Sequence, residues 1–175
     1  MSLQHAILTA LLEKPSSGLE LARRFDRSIG YFWSATHQQI YRELGKLESA
    51  GLIRELPVSQ PARGQRKAYE VLPAGRDELA AWVRRSEDPR PLRDPLGLRL
   101  RAAAMVGTEG LAAEVQRHLA LHRKQLAEFE AIEARDFPAD GSGDALQHLV
   151  LRGGIEMETF WIKWLTEAAE RLPEG

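Results

Sequence analysis

Three stripes of apolar residues at helical spacing occupy the first fifty residues of the chain. The first two cover residues 3–12 and 18–25, and turn-forming residues follow each of them. The third helix is expected to begin at Thr36, because Thr36 and Gln39 have the spacing of a capping box. It is expected to end at Gly51, since glycine adopts the left-handed conformation that terminates many helices. The pattern therefore predicts three short helices in succession.

The spacing changes from helical to alternating after this third helix. Alternation runs from 52 to 58 and again from 68 to 72, and the turn residues 61–65 between them include an arginine. This pattern indicates a two-stranded hairpin with a basic tip. Helical spacing then resumes from Pro73 to about Ser86. Three helices, a hairpin and a further helix, in this order, are typical of a winged helix-turn-helix module, which places one helix in the DNA major groove.

The second half of the chain is predicted to be helical throughout. A linker rich in proline and charge at residues 87–91 precedes it, and we expect the domain boundary there. The expected fold class is mainly α with a small β-hairpin wing, in which a winged helix-turn-helix domain (1–88) precedes a helical region (89–175). The helices predicted in the second half cover residues 94–106, 108–135 and 144–172.

Composition restricts the classes of protein to which the chain can belong. Its 175 residues include no cysteine, which excludes disulfides, thiolate metal sites and cysteine nucleophiles. Hydrophobic residues make up 43%, as in globular proteins, and the apolar runs are too short to span a bilayer. The first residues lack the features of a signal peptide, so the expected location is the cytoplasm.

The charge of the chain differs between its two halves. Residues 1–86 carry 13 Lys and Arg against 9 Asp and Glu, whereas residues 87–175 carry 11 against 16. The net charge of −1 hides this asymmetry. The basic excess of the first half favours a polyanionic partner such as DNA, although an excess of this size also arises by chance.

The third predicted helix suits contact with double-stranded DNA. Its apolar stripe of Ile40, Leu44 and Leu47 turns the opposite face to solvent. On that outward face Gln38 can pair with adenine, and Arg42 with guanine or a phosphate. An ordinary amphipathic surface helix has the same pattern and is the alternative. The remaining outward residues are Gly45 and Ser49, and the flanking candidates for phosphate contact are Gln39, Tyr41 and Lys46.

The predicted hairpin tip supplies a second set of cations. Arg63, Arg66 and Lys67 stand within five residues beside Gly64, and each could neutralise one DNA phosphate. Solvated surface loops also carry such residues. Their position next to a helix that suits the major groove favours the DNA-binding interpretation.

Short motifs through residues 3–100 point to a known family. The motifs are Tyr31-Phe32-Trp33, Gln39-Ile40-Tyr41-Arg42-Glu43-Leu44 with Leu47, Ala50-Gly51-Leu52-Ile53, Arg66-Lys67-Ala68-Tyr69, Pro73-Ala74-Gly75-Arg76 with Leu79 and Trp82, and Leu92-Arg93-Asp94-Pro95-Leu96. Together they resemble the PadR family of bacterial transcriptional regulators. The remainder of the chain resembles the family only in its helical layout, and residues 99–104 depart from it by being less apolar and aromatic.

The resemblance implies a homodimeric, sequence-specific DNA-binding regulator, usually a repressor, whose C-terminal helices form the dimer. It places DNA contacts on Tyr41 and the recognition helix (36–50), and on Arg66 and Lys67 of the wing (58–68). A two-fold symmetric dimer would select a pseudo-palindromic operator. Family effectors range from phenolic acids to multiple drugs, so a small aromatic effector that releases the operator is a further expected partner.

Two other classes of function stay open. The winged helix could serve as a protein-interaction scaffold that does not read DNA, which the acidic overall balance would suit. A small-molecule carrier or enzyme could be built on the helical half. Hydrolase, nucleotide-binding and kinase motifs are absent from the sequence, so no catalytic residues and no cofactor are predicted.

The last predicted helix carries an apolar and aromatic stripe, which favours packing in a dimer interface. Trp161 and Trp164 of this stripe could also stack against a flat apolar effector, and the two uses are compatible. Gly153 and Gly154 interrupt the pattern and would permit a kink, a break or a close helix crossing. The stripe comprises Met157, Phe160, Trp161, Trp164, Leu165 and Ala168.

A set of potential metal ligands lies on the long middle helix. Glu114, His118 and His122 share one helix face, a geometry that can hold a metal ion. Exposed polar helices produce this spacing often, and the pattern provides no fourth ligand. No metal site is therefore predicted.

Overall fold

The chain forms two compact units, Met1–Asp88 and Pro89–Gly175, which we call the N-terminal and C-terminal units. The computed structural model describes residues 3–27, 33–56, 67–89, 91–137 and 144–172. The elements of the N-terminal unit are α1 (Leu3–Glu13), β1 (Ser16–Ser17), α2 (Gly18–Arg27), α3 (His37–Ser49), β2 (Ile53–Glu55), β3 (Ala68–Val71) and α4 (Pro73–Val83). Those of the C-terminal unit are α5 (Pro95–Val106), α6 (Leu111–Asp136) and α7 (Ala145–Arg171).

The N-terminal unit is built around one apolar core. α1, α2 and α3 each turn an apolar stripe inward, as the sequence predicts, and Ile53 of β2 joins them. Full burial of a side chain of this size contributes about 1.5–3 kcal/mol relative to exposure, so this core holds the three helices in place. Its large members include Ile7, Leu8, Leu11, Leu21, Phe25, Ile40, Leu44 and Leu47.

A three-stranded antiparallel sheet in the order β1-β3-β2 packs against α1 and α3. The predicted hairpin of β2 and β3 is confirmed, with Arg54 opposite Glu70. The sequence prediction lacked β1, in which Ser16 and Ser17 pair with β3. So short a strand has no periodicity of its own, and the residues that pair with it lie far along the chain.

The C-terminal unit is a long helical hairpin with a shorter helix packed on it. α6 and α7 are antiparallel, since His122 pairs with Glu158 while Glu133, further along α6, pairs with His148, earlier in α7. α6 begins later than predicted, at Leu111, after a glycine with a left-handed φ of 71° at position 110. None of the helices within the described residues combines the length and apolar character needed to cross a membrane.

α7 runs without a break through its two adjacent glycines. A Cβ on Gly154 would lie 3.1 Å from the ring of Phe129 in α6, whereas a Cβ on Gly153 would meet nothing within 4 Å. Of the outcomes that the sequence left open, the break is excluded, and close helix crossing is observed at Gly154.

Candidate nucleic-acid interface

α3 has one buried and one exposed face. Ile40, Leu44 and Leu47 lie in the core, whereas Gln38 and Arg42 are exposed on the opposite side, which confirms the facing predicted from the sequence. Within the described residues no carboxylate lies at ion-pair distance from Arg42. The exposed face therefore presents an amide and an uncompensated guanidinium to solvent, the two groups best suited to pair with adenine and guanine.

Side chains fix the start of this helix. The Oγ1 of Thr36 accepts a hydrogen bond from the Gln39 backbone N–H at 3.2 Å, and the Gln39 Oε1 accepts one from the Thr36 N–H at 2.8 Å. This is the predicted capping box, and it occupies the side-chain oxygen of Gln39, one of the candidate phosphate contacts. His37 Nε2 lies 2.9 Å from the Asp26 Oδ2, which ties the start of α3 to α2.

Tyr41 lies on the flank of α3, with half of its surface exposed. Its ring packs over Gly18, the first residue of α2. Within the described residues its hydroxyl has no hydrogen-bond partner. Among the described residues nothing occupies the hydroxyl, which lies beside the outward face of the helix.

Both lysines among the candidate DNA contacts are paired with glutamates. The Lys46 Nζ lies 2.9 Å from the Glu43 Oε2, and the Lys67 Nζ lies 2.7 Å from the Glu55 Oε2 on β2. The hydrogen bond that Lys67 donates to Glu55 holds the pKa of Lys67 above its ordinary value. Neither glutamate was predicted from the sequence as a partner of these lysines. Glu43 precedes Lys46 by three residues on the same helix, a spacing that reveals such a pair. The pair of Lys67 with Glu55 depends on strand pairing.

Most of the predicted wing (58–68) lies outside the described residues, including Arg63 and Arg66. Lys67 stands at its base, immediately before β3. On the neighbouring strands the Arg54 Nε lies 2.6 Å from the Glu70 Oε1, so this arginine is also compensated.

The two tryptophans predicted as effector contacts have different surroundings. The ring of Trp161 stacks on His122 with centroids 5.6 Å apart. Trp164 meets Trp161 edge to face at 5.5 Å and borders a cavity of about 220 Å³. The other residues that line this cavity are Leu100, Glu167, Ala168, Arg171 and Leu172.

Two of the three potential metal ligands on α6, Glu114 and His118, contact each other, whereas His122 is paired with a residue of α7. Glu114 accepts hydrogen bonds from Arg117 and from Arg99, and the hydrogen bond from Arg117 is the main cause that lowers its pKa to about 2. His118 Nε2 lies 3.3 Å from Glu114, whereas His122 Nδ1 lies 2.6 Å from Glu158 on α7. The histidines thus bind different carboxylates, and within the described residues no group of three ligands converges.

Comparison with known proteins agrees with this architecture along the whole chain. Residues 7–81 match the model of the transcriptional regulator PadR-like family, and residues 92–173 match the model described as virulence activator alpha C-term. The chain is 45% identical to the probable transcriptional regulator Rv1176c of Mycobacterium tuberculosis, over 99% of each chain. It is 28% identical to the negative transcriptional regulator PadR of Bacillus subtilis, over 93% of each.

Solved structures show the same fold. The Vibrio cholerae virulence activator AphA superposes with a TM-score of 0.82 at 30% identity, covering 97% of this chain and 96% of that chain. Bacillus subtilis PadR in complex with operator DNA superposes with a TM-score of 0.81 at 26% identity, covering 97% of this chain and 98% of that chain. The same protein in complex with p-coumaric acid superposes with a TM-score of 0.77, at the same identity and coverage.

Fold and sequence together define a transcriptional regulator with a winged helix-turn-helix unit. The chain belongs to the PadR-like family of transcriptional regulators. The resemblance drawn from the motifs of the first hundred residues is confirmed, and it extends through the C-terminal helices.

Proposed function

We propose that this protein is a homodimeric repressor that binds a pseudo-palindromic operator in the cytoplasm and catalyses no reaction. The recognition helix α3 enters the major groove, and the wing meets the DNA backbone or minor groove. The observation that carries the proposal is the outward face of α3, where Gln38 and Arg42, which has no ion-pair partner among the described residues, stand opposite a buried apolar stripe. This arrangement presents base-pairing groups on a helix whose orientation the core holds rigid.

The comparisons support this assignment. PadR, which is described as a negative regulator, has been solved with operator DNA, and it covers nearly the whole of this chain. AphA is described as an activator. A reporter gene placed behind the selected operator therefore decides the sign of regulation: repression supports the proposal, and activation would reverse that part of it.

The dimer is supported by an apolar stripe on the surface of α7. Leu146, Val150, Met157 and Phe160 are exposed and, with Gly153, follow one another at alternating intervals of four and three residues. This spacing matches the seam of a helical pair, and a second copy of the chain would cover it. Two-fold symmetry then places two recognition helices roughly 34 Å apart, on one side of the duplex. Sedimentation equilibrium should give the mass of a dimer; a monomer at micromolar concentration would contradict this proposal.

A small aromatic effector is the proposed ligand of the C-terminal unit. The cavity beside Trp164 combines a flat aromatic surface and apolar residues with the ion pair of Arg171 and Glu167, and an acidic effector would compete with Glu167 for Arg171. Aromatic acids should quench tryptophan fluorescence and weaken operator binding. Trp164→Phe should remove most of the quenching, while Trp33→Phe in the other unit serves as the control. Quenching that Trp164→Phe leaves intact would place the effector elsewhere.

DNA binding itself is tested by fluorescence anisotropy. A duplex selected from a random library and a scrambled duplex are titrated over a salt series. Selective binding at dimer stoichiometry, with log affinity falling steeply with log salt, is the expected result. Equal and weak binding to both duplexes would leave only non-specific electrostatics. Absence of binding by an intact dimer, with and without aromatic acids, would favour the protein-interaction scaffold instead.

A further inference from the structure

Gly18 allows the aromatic ring of Tyr41 to lie against the start of α2. A Cβ at position 18 would stand 2.4 Å from the Tyr41 Cε1, 3.1 Å from its Cδ1 and 3.2 Å from its Cζ. Atoms do not approach this closely without a bond, so a side chain at position 18 would displace the ring. Gly18 has no positive φ, so the close approach, and not backbone freedom, accounts for glycine here.

The ring that Gly18 accommodates contributes little to the fold. Tyr41 is 50% exposed and does not belong to the core cluster or to the side chains packed against it. Half-buried Tyr69 of β3 lies near enough to interact with it electrostatically. The pKa of Tyr69 is raised chiefly by burial and to a lesser extent by acidic groups around it, Tyr41 among them. A large aromatic side chain held half in solvent, with a hydroxyl that meets no described partner, suits contact with a ligand better than it suits packing.

The location of this pair in the fold indicates which ligand atoms it would meet. In a helix-turn-helix module the first helix crosses the DNA backbone while the second enters the major groove. Here α2 and α3 are those helices, and the contact between buried Gly18 and half-exposed Tyr41 joins them. A group at that junction lies along the line of phosphates, and a tyrosine hydroxyl is a common phosphate donor.

We propose that Gly18 is a positioning residue for DNA binding: by leaving room for the ring, it holds the Tyr41 hydroxyl where it donates a hydrogen bond to an operator phosphate. This inference rests on the proposed function. A ring already placed in the free protein loses less conformational entropy on binding than a mobile one, which is the benefit that Gly18 provides.

A double-mutant cycle tests the proposal on the full-length protein. Operator affinity is measured by anisotropy at fixed salt for the wild type, Gly18→Ala, Tyr41→Ala and the double variant. Each single substitution should weaken binding roughly three- to tenfold, the range expected for a lost hydrogen bond. In the Tyr41→Ala background Gly18→Ala should have no further effect, because the ring that it displaces is gone.

Two further measurements separate positioning from damage to the fold. Titration at stoichiometric concentrations gives the active fraction, which should stay at the wild-type value. The slope of log affinity against log salt should also stay unchanged, since tyrosine is uncharged. Tyr41→Phe keeps the ring and removes only the hydroxyl, so this variant tests the phosphate contact even if Gly18→Ala disturbs α2. Tyr41→Phe should weaken operator binding about as much as Gly18→Ala does.

The outcomes distinguish this inference from the proposed function. Wild-type affinity in Gly18→Ala or in Tyr41→Phe would overturn the inference while leaving the regulator assignment intact. An equal loss from Gly18→Ala in both backgrounds would show that glycine acts independently of Tyr41 and would also overturn it. Failure of the wild type to select any duplex would instead contradict the proposed function.

Discussion

The ammonium group of Lys46 lies 2.9 Å from a carboxylate oxygen of Glu43, one turn earlier on α3. The lysine side chain is 58% exposed and the glutamate side chain only 14%, so the carboxylate lies beneath the cation that faces solvent. A DNA phosphate that contacts Lys46 therefore meets a cation that Glu43 already partly neutralises. The pair limits how much this cation adds to DNA affinity.

Replacing Glu43 with glutamine should raise affinity for any duplex, because Lys46 then meets a phosphate without losing a partner. An exposed ion pair is worth about 0.2–1 kcal/mol, so the gain should not exceed about fivefold. Anisotropy with operator and scrambled duplexes measures it. Glu48→Gln is the control: it removes the same charge from the same helix, at an exposed residue with no ion pair in the described part of the chain. An equal gain from Glu48→Gln would mean that net charge alone matters.

Arg42→Ala should weaken operator binding by about 1–3 kcal/mol, because the guanidinium on the outward face of α3 is lost. Arg152→Ala, which removes an arginine paired with Glu156 in the C-terminal unit, is the control and should leave operator affinity unchanged. Both are measured at one salt concentration. If Arg42→Ala bound the operator as tightly as the wild type, the proposed orientation of α3 on DNA would be wrong.

The wing should raise affinity for any DNA duplex through its positive charge, and it should not recognise the base sequence of the operator. Replacing Arg66 and Lys67 together with alanine should lower the slope of log affinity against log salt by about two units, one for each phosphate contact. The salt series on operator and scrambled duplexes should show the same change. A slope equal to that of the wild type would exclude both residues from phosphate contact.

The adjacent glycines of α7 provide a matched pair for stability. Alanine at either position gains about 1 kcal/mol of helix propensity. At Gly154 the new methyl group meets the ring of Phe129, and such overpacking costs about 1–3 kcal/mol. Urea unfolding at equal protein concentration should therefore find Gly154→Ala less stable than Gly153→Ala. If Gly154→Ala and Gly153→Ala were equally stable, either the ring of Phe129 would move aside at little cost, or a helix of the second protomer would pack against Gly153 as closely as Phe129 packs against Gly154.

Acid should weaken the corner between α5 and α6. In the folded protein Arg117 and Arg99 hold the pKa of Glu114 at about 2, below its ordinary value of 4.5. Because the pKa of Glu114 is lowered, this residue stabilises the folded protein above its ordinary pKa. That stabilisation is lost as pH falls from about 4.5 towards 2. Unfolding midpoints between about pH 5 and about pH 3 should fall more steeply for the wild type than for Glu114→Gln. Glu109→Gln, at an exposed position nearby, should follow the wild type; parallel curves for all three would refute the assignment.

The candidate interface could be predicted in part from local sequence signals. The facing of α3 follows from the spacing of Ile40, Leu44 and Leu47, and its start follows from the Thr36 capping box, both of which the structure confirms. The same reasoning could not show that Lys67 is already paired with Glu55 on β2. That pair joins residues that only strand pairing brings together, and residue type alone does not decide which partner a lysine takes.

Periodicity and capping by themselves determined the helices of this protein and the hairpin of β2 and β3, because each depends on residues a few positions apart. The family was indicated by the resemblance of short motifs in the first hundred residues. Tertiary structure alone decided the pairing of β1, the contact of Gly18 with Tyr41 and the different surroundings of Trp161 and Trp164. Each of these joins elements that are separate in the chain, and their distance is set by how the helices and strands pack. Packing depends on the shape of all the side chains in a unit together, which the spacing within a single element does not record.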